Sequence, residues 1–320
     1  MQYITLSLLL MIIMLLYFKV ANHFNIIDKP NQRSSHTDIT LRGGGVVFWF
    51  AALLYFAQHI DTNYFFFTGI TLVSFVSFWD DIQSLSNKIR ISIHFLAISL
   101  LLYDLGVFHE ISFLVILVLY IAAIGFMNIY NFMDGINGIT GLYTLVIMGA
   151  LLYVNQKILL FTDSAFIIYP MIASVVFLFF NFRKKAKCFA GDVGSIAIAF
   201  WVIYFILKLI LMTNSVIWIL FFAVYGTDGV CTILHRLYLK QNIFEAHRLH
   251  LYQILSNEYK MQHRLVALYY AVIQIIASVI VIFLYQKVQD GLIFIIVIVP
   301  LFFLYTSKFY LLKRKNLKFN

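Results

Sequence analysis

The feature that most constrains this chain is its succession of apolar runs of membrane-spanning length. A helix needs about 20 predominantly apolar residues to cross the hydrocarbon core, somewhat fewer if the span is broken. Eleven stretches qualify: 2–20, 43–59, 64–79, 90–105, 111–129, 139–156, 164–182, 193–213, 215–233, 265–285 and 291–311. Of the 320 residues, 62% are hydrophobic and only 12% charged, more apolar surface than a soluble core hides. The runs are continuous rather than alternating, which argues against a β-barrel. The expected fold is an all-α polytopic membrane protein with ten to eleven transmembrane helices, forming a single domain over residues 1–320. The first 20 residues lack a basic leader and a small-residue cleavage site, so they read as a retained span rather than a signal peptide.

Charge gives the orientation. Of the 23 Lys and Arg residues, 20 fall in alternate connections (19–45, 80–90, 183–192, 234–264 and the tail from Lys308), and only Lys157, Lys208 and Lys287 fall opposite. Cytoplasmic loops carry the basic excess. The N-terminus is therefore expected in the periplasm and the C-terminus in the cytoplasm, with cytoplasmic loops 21–42, 80–90, 128–138, 183–192 and 234–264. The net charge of +9 reads as this topology signal, and no nucleic-acid partner is expected. Cys188 and Cys231 have no C-x-x-C spacing, so neither a disulfide framework nor a zinc site is indicated.

Four polar islands interrupt this apolar background, and all four fall in the cytoplasmic set. Adjacent carboxylates such as Asp80-Asp81 repel unless a cation or proton lies between them; Lys88 and Arg90 follow closely, and the plain alternative is a solvated interfacial pair. Asn128, Asn131 and Asp134 stand at i, i+3 and i+6, neighbours along one helix face. Their oxygens suit Mg²⁺ or the polar edge of a nucleotide, and the Gly-rich stretch after them also fits a simple turn. Asp192, in Gly191-Asp192-Val193-Gly194-Ser195, fits either a helix cap or a metal carboxylate on a glycine turn. His247-Arg248-Leu249-His250 lacks a third zinc ligand and suits phosphate. A fifth segment, from Asp28 to Arg42-Gly43-Gly44-Gly45, lies on the same side. Together the islands suggest a Mg²⁺ site joining two anionic substrates, one of them a lipid, for metal-assisted phosphoryl transfer.

In this order, the Asp-Asp pair, N-x-x-N-F-M-D-G-I-N-G, G-D-V-G-S and H-R-x-H-x-Y-Q resemble the polyprenyl-phosphate N-acetylhexosamine-1-phosphate transferases. The early D-K-P-N-x-R-S-S-H and L-R-G-G-G segment resembles the bacterial O-antigen-initiating branch. The resemblance spans residues 28–253. It implies a bacterial inner-membrane, multi-pass enzyme with a cytoplasmic-face site, bound among membrane lipids. Its substrates would be a UDP-N-acetylhexosamine and undecaprenyl phosphate, and UMP would be released. Mg²⁺ is the implied metal, with Mn²⁺ as a substitute. Asp192 and Asn131 map to metal ligands, and one of Asp80 and Asp81 to the group that deprotonates or orients the lipid phosphate. Arg42, Asn128, Asp134, His247, Arg248 and His250 are placed with the substrate-binding residues. A homodimer is left open. Two departures stand out: Asn137 occupies a position where many relatives carry aspartate, and Leu41 replaces the common Pro before R-G-G-G. The rival reading, a transporter or lipid-carrier flippase, requires ionisable groups at mid-membrane. The sequence offers few, with His94 and Lys208 the candidates.

Overall fold

The computed structural model describes residues 1–29, 38–60, 62–242 and 248–315. Its helices are α1 (Gln2–His23), α2 (Val46–Phe56), α3 (Tyr64–Ile82), α4 (Asn87–Asp104), the one-turn α5 (Val107–Glu110), α6 (Phe113–Phe132), α7 (Ile139–Lys157), α8 (Ser164–Asn181), α9 (Gly191–Thr213), α10 (Ala223–Tyr238), the short α11 (Leu251–Gln253), α12 (His263–Leu284) and α13 (Asp290–Arg314). Every expected apolar run is helical. Among the described residues, nine helical segments are long and apolar enough to cross a bilayer. Of the other two, α2 has only 11 residues, and α4 carries Lys88 and Arg90 in its first turn. The protein is an all-helical, polytopic membrane protein.

Helix α9 forms the centre. It is apolar around its whole circumference, the pattern of a helix with no lipid-facing side, and it is buried from Val193 through Ile206. It packs against α3 and α6. Gly69 admits Phe200, because any larger residue there would strike that ring. Helices α1, α6 and α13 instead expose large apolar side chains along one face, among them Leu8, Leu117 and Phe303.

The ninth span is broken. It starts as a 3₁₀ turn, Val216–Phe222, and continues as α10. Such a break leaves backbone polar groups without helical partners, and hydrocarbon offers none. Gln274 of α12 supplies them: its Nε2 donates to the Leu220 carbonyl at 3.0 Å, and its Oε1 accepts from the Val224 N–H at 3.1 Å. The Tyr143 hydroxyl donates to the same Oε1 at 2.6 Å and accepts from the Tyr225 N–H at 3.1 Å.

The connection from α1 to α2 is held by pairing. Strands β1 (Ile27–Asp28) and β2 (Thr40–Leu41) run antiparallel, with Ile27 opposite Leu41. Leu41 also bridges to Cys188. Beyond it the chain zips onto 189–190: the Gly44 N–H donates to Phe189 at 2.8 Å, and the Gly45 N–H to Ala190 at 2.9 Å. Gly45 and Gly194 are in backbone contact, and a methyl group on either would overlap the other. The rigidity that Pro would bring before R-G-G-G comes here from strand pairing through Leu41.

Two sequence expectations need correction. Lys308 does not begin the cytoplasmic tail: α13 continues to Arg314, and Lys308 is fully buried within it. Asp228, inside the ninth span, belongs among the ionisable groups of the bundle interior.

Candidate active site

The site forms where five chain segments meet at one end of the bundle. Helix α9 begins without a side-chain cap of its own. Its first N–H groups need acceptors, and its positive dipole end favours an anion. Asp81, from the last turn of α3, fills both needs. Its Oδ1 accepts from the Asp192 N–H at 2.9 Å, and its Oδ2 from the Val193 N–H at 3.1 Å. Gly191 has φ +72, and a side chain there would strike the Asp81 carboxylate. The glycine turn is therefore what lets α3 cap α9.

Two arginines are shared among three carboxylates. Arg42 Nε lies 2.7 Å from Asp81 Oδ1, and its Nη2 lies 3.5 Å from Asp192 Oδ1. Arg90 Nη1 lies 3.1 Å from Asp80 Oδ2, and its Nη2 lies 3.3 Å from Asp192 Oδ2. Burial opposes the charge on Arg42, but the surrounding carboxylates, Asp81 foremost, raise its pKa above the ordinary arginine value. The Tyr17 hydroxyl fixes the Arg42 carbonyl at 2.6 Å. Each member of the Asp80-Asp81 pair thus meets a guanidinium, Arg42 at Asp81 and Arg90 at Asp80. Arg90 does so as its position in the sequence suggested.

The Asp80-Asp81 pair splits into two kinds of group. The Asp81 side chain is fully buried with both oxygens engaged, so it serves as a helix cap and not as a group open to substrate. Asp80 Oδ1 accepts from the Leu85 N–H at 2.6 Å, and its other oxygen meets Arg90. Asp80 is the member with some solvent access.

Asn131 Nδ2 donates to Ser195 Oγ at 2.8 Å, which places the end of α6 against the first turn of α9, beside Asp192. Asp134 accepts from the Thr140 hydroxyl at 2.5 Å. Burial pushes the Asp134 carboxyl up to about 7, with the Thr140 bond working against that rise. Asn128 does not join them: its Nδ2 turns back to the Ile124 carbonyl of its own helix at 3.0 Å. Asn137 donates to the carbonyls of Arg183 at 2.9 Å and Lys184 at 3.5 Å, work that an ionised aspartate cannot do.

The histidine segment docks beside this cluster. The Tyr252 hydroxyl donates to the Phe132 carbonyl at 2.8 Å, and Gly135 leaves room for that ring. His250 is buried, with Nδ1 3.2 Å from Asp228 Oδ1, so its ring faces inward and not toward an open cleft. Arg248 precedes it in the chain, and His247 lies outside the described residues. Asp228 escaped the sequence reading. The available signal was a carboxylate within an apolar span, which is costly without a partner.

The cluster of acidic and basic groups thus lies at one end of a polytopic helical bundle. Residues 63–213 match the family described as glycosyl transferase family 4. It is similar to the undecaprenyl-phosphate alpha-N-acetylglucosaminyl 1-phosphate transferase of Escherichia coli K12, with 26% identity covering 93% of this chain and 88% of that one. The Salmonella typhi protein of the same name is 29% identical over 79% and 75% of the two chains. A Bacillus subtilis protein, probable undecaprenyl-phosphate N-acetylglucosaminyl 1-phosphate transferase, is 26% identical over 82% and 78%.

Proposed function

We propose that this protein transfers N-acetylhexosamine-1-phosphate from a UDP-sugar to undecaprenyl phosphate, releasing UMP. In this reading it works at the cytoplasmic face of a bacterial inner membrane and starts a lipid-linked surface glycan of the O-antigen type. The observation that carries the proposal is the Arg42–Asp81–Asp192–Arg90–Asp80 chain of ion pairs at one end of an apolar bundle. It offers fixed positive charge for phosphates next to carboxylates for a cation, within reach of a lipid-borne head group.

The donor set fits Mg²⁺. Among the described residues no three His, Cys, Asp or Glu side chains group into a protein cage. Mg²⁺ does not need one, since it takes one or two carboxylates and completes its shell with water and substrate phosphate. Asp192 would hold it, with the Asn131 carboxamide beside it. Bound there, the ion would neutralise charge building on the UMP leaving group. The chain's own residues do the rest. The Asp81 cap fixes Asp192 on the first turn of α9. Arg42 and Arg90 are placed to exchange carboxylate partners for diphosphate oxygens when the donor enters. Asp80, the member of the pair with some solvent access, would orient the lipid phosphate. An oxygen of that phosphate bonds to the β-phosphorus, and the bond from that phosphorus to the bridging oxygen of the diphosphate breaks, with its electron pair leaving on UMP.

The test is to incubate the purified membrane protein with undecaprenyl phosphate and a panel of UDP-N-acetylhexosamines, then identify the lipid product by mass spectrometry. A diphosphate-linked N-acetylhexosamine lipid is expected with one member of the panel. No lipid product with any of them would refute the reading.

A further inference from the structure

Two buried charges have no part in the cluster above. Asp228 on α10 is 3% exposed and Lys308 on α13 is 0% exposed. Ionisable groups inside a membrane bundle are expensive, and holding them there requires specific partners. They do not pair mainly with each other across the two helices. Asp228 Oδ1 meets His250 Nδ1 at 3.2 Å and accepts from the Leu251 N–H at 3.1 Å. The Thr232 hydroxyl donates to the same oxygen at 3.2 Å, and the Tyr270 hydroxyl donates to Oδ2 at 2.6 Å. Lys308 Nζ donates to the Leu249 carbonyl at 3.0 Å and to the Tyr305 hydroxyl. Both charges thus converge on three consecutive residues, 249, 250 and 251, from two different helices.

We infer that Asp228 and Lys308 are positioning residues that fix the register of the Arg248–Gln253 segment, so that Arg248 is presented to the diphosphate of the nucleotide sugar. This inference rests on the proposed transferase reading. A cation on a carbonyl and an anion on an N–H and an imidazole leave the segment no freedom to slide or rotate, because each contact satisfies a different polar group. Tyr252, the next residue, carries the same register to the Phe132 carbonyl beside Asn131.

The test compares wild type, Lys308→Met, Lys308→Arg and Asp228→Asn in detergent. UDP protection is measured as the rise in Tm at saturating ligand, and tryptic cleavage after Arg248 as a rate. Wild type should be stabilised by UDP and cut slowly. Lys308→Met and Asp228→Asn should bind UDP at least tenfold more weakly and be cut at least tenfold faster after Arg248. Lys308→Arg keeps a donor for the Leu249 carbonyl and should retain most of both properties. In turnover assays the KM for the nucleotide sugar should rise tenfold, with the KM for undecaprenyl phosphate within twofold of wild type. Unchanged UDP affinity in the folded variants, or equal rises in both KM values, overturns the inference while leaving the transferase reading intact. If Lys308→Met does not fold, the decision passes to Lys308→Arg, and a full loss of UDP binding in that folded variant overturns the inference. Wild type that shows no response to UDP overturns the transferase reading and this inference together.

Discussion

Asp80 and Asp81 are neighbours in sequence, yet their substitutions should fail in different ways. Asp81→Asn keeps the size of the side chain but removes its charge and turns one acceptor into a donor. In the structure both Asp81 oxygens accept backbone N–H groups of α9, and one also meets Arg42 at 2.7 Å. An amide leaves one N–H of α9 facing another donor and leaves the inner edge of Arg42 without its counter-charge. Breaking a buried pair from one side costs about 3–5 kcal/mol, and one charge-assisted hydrogen bond accounts for about 1.5–3 kcal/mol of this. At about 2 °C per kcal/mol for a chain larger than 200 residues, Tm should fall by roughly 6–10 °C. Asp192 sits on the turn that loosens, so activity should fall as well. Asp80→Asn removes a single ion pair with Arg90 and keeps an oxygen for the Leu85 N–H, a loss of about 1.5–3 kcal/mol, so its Tm should fall by roughly 3–6 °C, less than for Asp81→Asn. Its turnover should nevertheless fall at least 100-fold if Asp80 orients the lipid phosphate. The assay pairs a detergent melting curve with UMP release on the same preparation. The reasoning is refuted if Asp81→Asn melts like wild type, or if Asp80→Asn is the less stable of the two.

Four further outcomes follow from the same geometry. Asn137→Asp places a carboxylate against the Arg183 and Lys184 carbonyls; a loss of about 1–3 kcal/mol is expected in the melting curve at pH 8, with Asn137→Gln milder. Gly191→Ala should disconnect α3 from α9, because its methyl meets the Asp81 carboxylate, and membrane-integrated protein without activity is the expected result. Asp134, with its pKa raised from 3.8 to about 7 by burial, binds a proton in the folded state that the unfolded chain has lost. Metal-free stability should therefore decline as pH rises from 4 to 7 and then level off, and Asp134→Asn should flatten that decline. Asp192→Asn should abolish turnover while protein remains folded in the membrane; near-normal activity would remove Asp192 from the metal site.

Much of the fold was legible because the bilayer imposes a simple rule. Runs such as 193–213 must be helices, and a helix apolar on every side must be central. Local interruption was harder to read. The 3₁₀ turn before α10 exists because Gln274 and Tyr143 satisfy the opened backbone, and that pairing joins residues about fifty and eighty positions apart. The site was legible as a set of islands, but the task of each residue was not. Asp81 as the cap of a helix 110 residues later, Asn128 folded back on its own helix, and His250 turned toward Asp228 are all products of packing. The resemblance supplied an order of motifs, which points to a family but does not separate residues that touch substrate from residues that hold others in place.

The most direct test of the central claim is UMP release from the cognate UDP-N-acetylhexosamine, measured with each component omitted in turn. Release should require both undecaprenyl phosphate and a divalent cation, vanish with EDTA, and return with Mg²⁺ or Mn²⁺. Release that persists without the lipid, or that is indifferent to EDTA, would contradict the account.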